Sequence, residues 1–403
     1  MTTEELHNTS NAKYQIDKEN SAQMLALNLV SKTNASFFLT GRAGTGKTTF
    51  LHYIQEHVKK NFVIVAPTGV AAIVVGGMTI HSFFGMPFTP ITSDTKFNLN
   101  ANKWSILKHV HTIIVDEISM VRCDIIDGID RVLQKAMENN LPFGGKQIIF
   151  SGDLYQLEPV LEHDDLELVE FYHREYNCDV PYFYHAHVFK RIQLPRIEFS
   201  KVYRQNDPEF QKMLENIRHG RLEAAEMNRI NKIGLANYAV KQHEHLILTS
   251  TNKAADTINQ ERIDAIDQPA FEYEGTISGD FNKSTFPSPS LLTLKVGTRV
   301  MFTQNDTTKK WVNGTVGTVT SLTEDSIMVE LDHGDIVPVQ RAKWENIRYT
   351  YHKDTRKLEH EIIGTYIQFP LKLAWAITIH KSQGMTFDDM TIDLSNSFCS
   401  ASV

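Results

Sequence analysis

Three cysteines in 403 residues (Cys123, Cys178 and Cys399) are too few and too scattered for a disulfide framework or a zinc site, so a reducing compartment is expected. Positive charge is also scarce. Lys and Arg total 41 against 48 Asp and Glu, a net charge of -7, which argues against coating nucleic acid by bulk charge and leaves room only for a local basic groove. Residues 1–20 are polar and mixed in charge, without a signal-peptide pattern, so an intracellular, cytoplasmic protein is expected. Internal repeats of solenoid length and low-complexity tracts are missing as well. Charge disappears between Lys60 and Asp94, and residues 62–80 are apolar enough to raise the question of a membrane helix. Pro67-Thr68-Gly69 cuts that run after five strand-like residues and Gly76-Gly77 ends it. A buried strand, a turn and a short buried helix are predicted instead.

What is present is ordinary for a globular chain: 41% hydrophobic and 22% charged residues, with length for two or three domains. Residues 37–40, 62–66, 112–115 and 147–151 read as fully buried strands separated by helical patterns, the signature of a parallel α/β sheet. A broken second set follows at 246–250, 373–380 and 390–394. Between its parts, 269–368 holds short Val- and Thr-rich segments (297–302, 314–320, 327–331, 336–339) parted by Asn313-Gly314 and Asp332-His333-Gly334, which predicts a small antiparallel barrel. Residues 84–104, with Pro87 and Pro90, read as a loop-rich insertion. Residues 161–179 hold seven acids against Arg174 alone and read as a solvated surface segment.

Gly41-Arg42-Ala43-Gly44-Thr45-Gly46-Lys47-Thr48 matches the G-x-x-x-x-G-K-[ST] phosphate loop, after a buried strand and before the helical period of Phe50, Leu51, Ile54 and Val58. Glycines let backbone N–H groups turn toward phosphate oxygens, and the helix N-terminus adds positive potential. Lys47 is placed to reach the β- and γ-phosphates and Thr48 to bind Mg²⁺. The strand 112–115 runs into Asp116-Glu117, so Asp116 is expected to be the second Mg²⁺ partner and Glu117 the group that orients attacking water. Gln156, after Gly152-Asp153-Leu154-Tyr155, is either a γ-phosphate sensor or an ordinary loop amide.

Together with Asp116-Glu117-Ile118-Ser119-Met120, Gly152 to Val160 and Leu373 to Gly384, the phosphate loop resembles a superfamily 1 helicase. More narrowly, the chain resembles the Pif (petite integration frequency) family of 5′→3′ DNA helicases, superfamily 1B cousins of RecD. Ser119-Met120 followed by Asp124, Asp127 and Arg131 resembles that family's signature. The resemblance implies two RecA-like domains with ATP bound between them: residues 21–198, carrying a strand-separating wedge at about 84–104, and 199–268 with 369–403. Residues 269–368 would form a Src-homology-like barrel, behind a polar segment at 1–20. It also implies an ATP- and Mg²⁺-dependent motor on single-stranded DNA, working as a monomer in repair, recombination, replication or telomere maintenance, on forks, G-quadruplexes or RNA–DNA hybrids.

Site roles follow by resemblance. Gln23 matches the glutamine that reads the adenine edge, though a surface residue would fit equally. Arg204, in Lys201-Val202-Tyr203-Arg204-Gln205, matches the arginine that reaches the γ-phosphate, with a surface ion pair as the alternative. Thr49 and Gly384 join the ATP site. Pro67, Thr68, Gly69, Val70, His81, Ser82 and Phe83 match residues that hold single-stranded DNA, as do Thr249, Asn252, Thr378, His380, Lys381 and Ser382. His81 or Phe83 would stack on a base, although Phe83 and Phe84 are expected in the core. Residues 341–357 hold six basic residues against two acids, a candidate basic face or a solvated loop. One departure stands out: the family's Tyr-Val-Ala-Leu-Ser-Arg motif has no counterpart, since no arginine follows Arg356. A truncated second domain with weak motor activity, and a RecD-like subunit of a repair nuclease, are therefore the competing expectations.

Overall fold

In the computed structural model of the chain, the described residues are 14–159, 166–203, 207–241, 246–306, 308, 310–352, 355, 357–382 and 390–393. They form two compact units, Met1–Asn206 with Ile347–Glu361, and Asp207–Asn346 with Ile362–Val403.

The first unit runs α1 (Ser21–Lys32), β1 (Phe37–Gly41), α2 (Lys47–His57), β2 (Phe62–Ala66), α3 (Gly69–Val74), β3 (Met78–Thr79), α4 (Ile80–Phe84), α5 (Ala101–His109), β4 (Thr112–Val115), α6 (Cys123–Met137), β5 (Gln147–Gly152), α7 (Leu166–Tyr176) and β6 (Arg196–Phe199). The strands make one parallel sheet in the order β3-β2-β4-β5-β1-β6. Every residue of β1, β2, β4 and β5 is buried, as continuous apolar strands covered on both faces require. One face packs Phe50, Leu51 and Ile54 of α2 with Ala26 and Val30 of α1. The other packs Ile125, Ile126, Ile129, Val132 and Leu133 of α6.

The solvated segment expected at 161–179 is instead helical over 166–176. Its face carries Leu168, Phe171 and Tyr172 toward the core, and the Tyr172 ring is fully buried with its hydroxyl donating to Asp124 at 3.0 Å. Acid count describes only the outer face of an amphipathic helix, which is why it misled here.

The second unit begins with α8 (Pro208–Arg218) and α9 (Ala224–Lys241), then β7 (Leu246–Thr249) and α10 (Asn252–Asp264). Antiparallel strands follow: β8 (Phe271–Glu274), β9 (Thr276–Gly279), β10 (Leu291–Leu294), β11 (Arg299–Phe302), β12 (Val316–Leu322), β13 (Ile327–Leu331), β14 (Ile336–Val339), β15 (Ala342–His352) and β16 (Lys357–Gln368), whose stretch Ile347–Glu361 belongs to the first unit, and β17 (Leu371–Leu373). They group as β14-β13-β12-β11-β17, β10-β8 and β15-β16-β9. Tyr273, Leu292, Leu294, Phe302, Val329 and Phe369 share a core that joins the first two of these groups. The chain closes through β18 (Ala376–Thr378), α11 (Ile379–Ser382) and β19 (Met390–Ile392), with β18 and β19 parallel to β7 on either side.

The single strand expected at 373–380 is therefore broken. The Asn259 carboxamide of α10 accepts from the backbone N of Trp375 (3.1 Å) and Ala376 (2.9 Å) and donates to the Ala376 carbonyl (2.7 Å), so the run changes sheets there. After Thr378 the backbone turns helical. Thr378 Oγ1 accepts from Lys381 N at 3.4 Å.

Candidate functional site

At the end of β1 the chain runs close against β6. A Cβ on Gly41 would stand 2.5 Å from the Phe199 carbonyl oxygen, so only glycine fits where the loop leaves the sheet. Gly46 has φ +86°, the left-handed region, and starts α2 with no side chain over the first amides. Thr45 is buried and its hydroxyl donates to the Arg42 carbonyl at 2.8 Å, which holds the loop in shape. Lys47 curls over the loop, its ammonium donating to the carbonyls of Gly41 (2.5 Å) and Arg42 (3.2 Å). Ala43, Thr48 and Thr49 are exposed, and Gly44 is partly so.

Two carboxylates face this lysine from the end of β4. Burial raises the pKa of Asp116, opposed by Ser151, then by the Glu117 backbone N–H and last by the Lys47 charge. Glu117 is pushed up to about 7, first by burial and then by Asp116, again opposed by Lys47. Glu117 also adopts φ +50°, ψ +45°, the left-handed region, which is uncommon for a side chain that long and marks a turn held by its surroundings. Next to it, a Cβ on Gly152 would lie 3.0 Å from the Ile118 nitrogen, so β5 must end in glycine for the turn to close. The same strand end presents Asp153, and Gln156 Nε2 reaches Asp153 Oδ2 at 3.5 Å.

On the far side of the loop, a cavity of about 200 Å³ is lined by Gln15, Ile16, Asp17, Gln23, Gly46, Thr49, Phe50 and Tyr203. Gln23 is buried there, its Oε1 accepting from Asp17 N at 2.9 Å. Sequence reasoning missed two members. Tyr203 donates its backbone N–H to the Gly44 carbonyl (2.9 Å) and its hydroxyl to Asp17 (2.9 Å). Lys201 reaches Asp17 at 2.7 Å, and that contact with the Tyr203 hydroxyl holds the Asp17 carboxyl below its usual range. The adjacency of Tyr203 to Arg204 in one motif was the available signal, whereas Asp17 carries none. Arg204 itself lies outside the described residues, as does Gly384.

The residues matched to DNA binding divide. In the first unit, Pro67, Thr68 and Gly69 follow β2 and His81 and Ser82 follow β3, at the carboxyl ends of adjacent parallel strands, the edge where α/β sheets bind ligands. Thr68 and Thr79 cap α3 and α4, with Oγ1 accepting from Ala71 N and Ser82 N at 3.2 Å each. Val70 falls in α3, and nothing describes its side chain. Phe83 does not have a free face for a base. It is 3% exposed, packed edge-on against Phe84 and Tyr349, because it follows the apolar spacing of α4 into the core. The stacked pair at this edge is His81 with Phe88, 4.7 Å apart, and the Phe88 ring is 84% exposed.

In the second unit Thr249 and Thr378 are buried with inward-bonded hydroxyls, Thr249 Oγ1 donating to the Thr251 carbonyl at 3.1 Å. Asn252 and Lys381 are exposed, and the Ser382 hydroxyl donates to the Ile379 carbonyl. His380 lies in α11, its side chain undescribed. Lys372 was not anticipated: burial, and then the charge of Lys381, lower its pKa to about 8. The basic face expected at 341–357 is partly neutralised, by Lys343 with Glu345 (2.9 Å), Arg348 with Glu361 (3.9 Å) and His352 with Glu359 (3.4 Å). Among the described residues no helix is long and apolar enough to cross a membrane.

Comparison with known proteins agrees with this geometry. Residues 16–228 match the PIF1-like helicase family model. The chain is 33% identical over 387 residues to the ATP-dependent DNA helicase Pif1 of Bdellovibrio bacteriovorus, covering 93% of this chain and 81% of that one. Among solved structures it resembles Bacteroides sp Pif1 in complex with ADP-AlF4, with a TM-score of 0.87 at 38% identity over 96% of this chain and 88% of the other. Bacteroides Pif1 bound to ssDNA gives a TM-score of 0.62 at 37% identity, over 95% and 88%.

Proposed function

This chain belongs to the PIF1-like helicase family, and from that premise we propose that it is a motor that hydrolyses ATP to travel 5′→3′ along single-stranded DNA and open duplexes. One observation carries the chemistry: the Lys47 charge acts on both Asp116, which is buried, and Glu117, which is half-buried. Lys47 leaves its two loop carbonyls to meet the β- and γ-phosphates, and the amides at the start of α2 meet the remaining oxygens. The adenine end enters the cavity beside Gln23, with the Tyr203 ring as one wall. Glu117, poised near neutrality, takes the proton of the attacking water. Gln156, tied to Asp153, is the γ-phosphate reporter, and Arg204 is the arginine that meets the charge developing there. The bond from its chain neighbour Tyr203 to the Gly44 carbonyl supports that role for Arg204.

Mg²⁺ fits the same place. Among the described residues no three His, Cys, Asp or Glu side chains could hold a metal by themselves. A lone buried carboxylate, Asp116, with the exposed Thr48 hydroxyl suits a cation that takes its other oxygens from phosphates and water. Bound there, Mg²⁺ would supply neutralisation of phosphate charge.

The DNA strand is read as lying across the carboxyl ends of β2 and β3, on Pro67, Thr68, Gly69, His81 and Ser82; Asn252, Lys381 and Ser382 are proposed as DNA contacts of the second unit in their own right. Backbone and hydroxyl contacts of this kind hold a strand without reading sequence. Action as a monomer, and G-quadruplexes or RNA–DNA hybrids as further substrates, belong to the same proposal. Unwinding assays on 5′-tailed and 3′-tailed duplexes test the proposal. Only the 5′-tailed duplex should open, and Lys47→Ala should abolish DNA-stimulated ATP hydrolysis. An active Lys47→Ala protein would refute the mechanism.

A further inference from the structure

Behind the loops of Thr68 and His81 lies a second cavity, of about 180 Å³, that no step of ATP hydrolysis uses. Pro67, Ile80, Met120 and Ile125 give it apolar walls, and its polar residues are Thr68, His81 and Arg122. His81 Nε2 is buried without a hydrogen-bond partner, a position that gains from any group able to meet it. The Arg122 guanidinium is fixed in place. Its Nε and Nη2 fork onto the two oxygens of the fully buried Asp124 at 3.0 and 3.1 Å. Asp124 is itself pinned by Ile91 N (2.8 Å) and the Tyr172 hydroxyl (3.0 Å). Arg122 Nη1 takes no part in that fork, and the outer face of Phe88, stacked on His81, is open.

We infer that this cavity receives one everted base of the single strand, its edge meeting His81 Nε2 and Arg122 Nη1, while Phe88 stacks on the base beside it. The inference rests on the single-stranded DNA reading above and adds to it a pocket for a base. A backbone phosphate is the poorer occupant, because Asp124 already compensates the Arg122 charge and the walls are apolar, so an anion would lose its hydration with little return. Burial, and next the Arg122 charge, hold the His81 pKa below its usual value, which leaves a neutral ring. Its Nε2 donates or accepts according to tautomer, so the pocket takes any of the four bases. A rigid pocket would thus mark register along the strand without reading its sequence.

Abasic scanning tests this. Oligodeoxynucleotides carrying one abasic site at each position in turn are bound to the full chain, and Kd is measured. The expected result is a loss of about tenfold at one internal position, in the range found for removing one base–aromatic contact. In Ile125→Phe, which fills the cavity, and independently in His81→Ala, the same abasic site should cost nothing further. Nucleotide binding, read with a fluorescent ATP analogue, should be unchanged in Ile125→Phe and certifies its fold. A flat abasic profile, a profile unchanged in both variants, or a dip produced by a neutral methylphosphonate and not by an abasic site would each overturn the inference. If the intact oligomer did not bind at all, the DNA reading beneath it would fall too.

Discussion

A carboxylate takes a proton from water most effectively when its own affinity for protons matches the solution, and burial does this for Glu117. Its pKa rises from an ordinary 4.5 to about 7, so below neutrality the group is protonated and cannot accept. ATP turnover by the free enzyme should therefore rise with pH through about 7 and level off above it, where a solvated glutamate would give a limb near 4.5. A kcat/KM profile checks this. Glu117→Gln should lower kcat by roughly 10²–10⁴ with ATP affinity retained, and should erase the acidic limb. A second residue-scale expectation concerns the adenine cavity. Tyr203→Ala removes one wall and should raise KM for ATP by about tenfold, the equivalent of ~1.4 kcal/mol, with kcat little changed. Titration of a fluorescent ATP analogue separates this from a catalytic loss.

At the scale of elements, α6 explains why Asp124, Asp127 and Arg131 recur in one motif. Asp127 accepts from His187 N and Val188 N at 3.0 Å each, while Asp124 accepts from Ile91 N. Arg131 donates to the carbonyls of Thr92, Ser93 and Thr95 and lies 5.2 Å from the Phe97 ring. One helix, starting just after the Glu117 turn, thus fastens the insertion whose residues 86–100 have no regular structure. Arg131→Ala should loosen that insertion and cut duplex unwinding about tenfold relative to DNA-stimulated ATPase, since ~1.4 kcal/mol of misplacement suffices. An equal fall in both rates would contradict the anchoring role. Tyr172→Phe, which strips a donor from the buried Asp124, should cost ~1.5–3 kcal/mol of stability, read as a lower urea midpoint. These links also show what could be read in advance. Continuous apolar runs such as Phe62–Ala66 and Thr112–Val115 announce buried parallel strands by composition alone, and the phosphate loop announces itself by its glycines. Tyr172, Asp17 and the break at Trp375–Ala376 could not be read. Each is decided by a partner distant in the chain (Asp124, Lys201 and Asn259) that leaves no local period.

For the whole molecule, the net charge of -7 sets how DNA can be held. A protein that grips the backbone mainly by lysine and arginine releases many counterions and binds steeply less well as salt rises. Here the residues read as the track are chiefly backbone groups, hydroxyls and ring edges, with Lys381 an exposed cation among them. Arg122 is compensated by Asp124, and Arg348 and Lys343 by nearby glutamates. Only about two or three phosphates should therefore be neutralised, and at ~0.7 per phosphate for single strands the slope of log K against log salt should be roughly -1.5 to -2. Fluorescence anisotropy of a labelled oligomer from about 50 to 300 mM salt measures it. A much steeper slope would mean that further lysines and arginines join the track. A slope near the expected value, with binding retained at high salt, would mean that packing and hydrogen bonds hold the strand while ATP hydrolysis moves it.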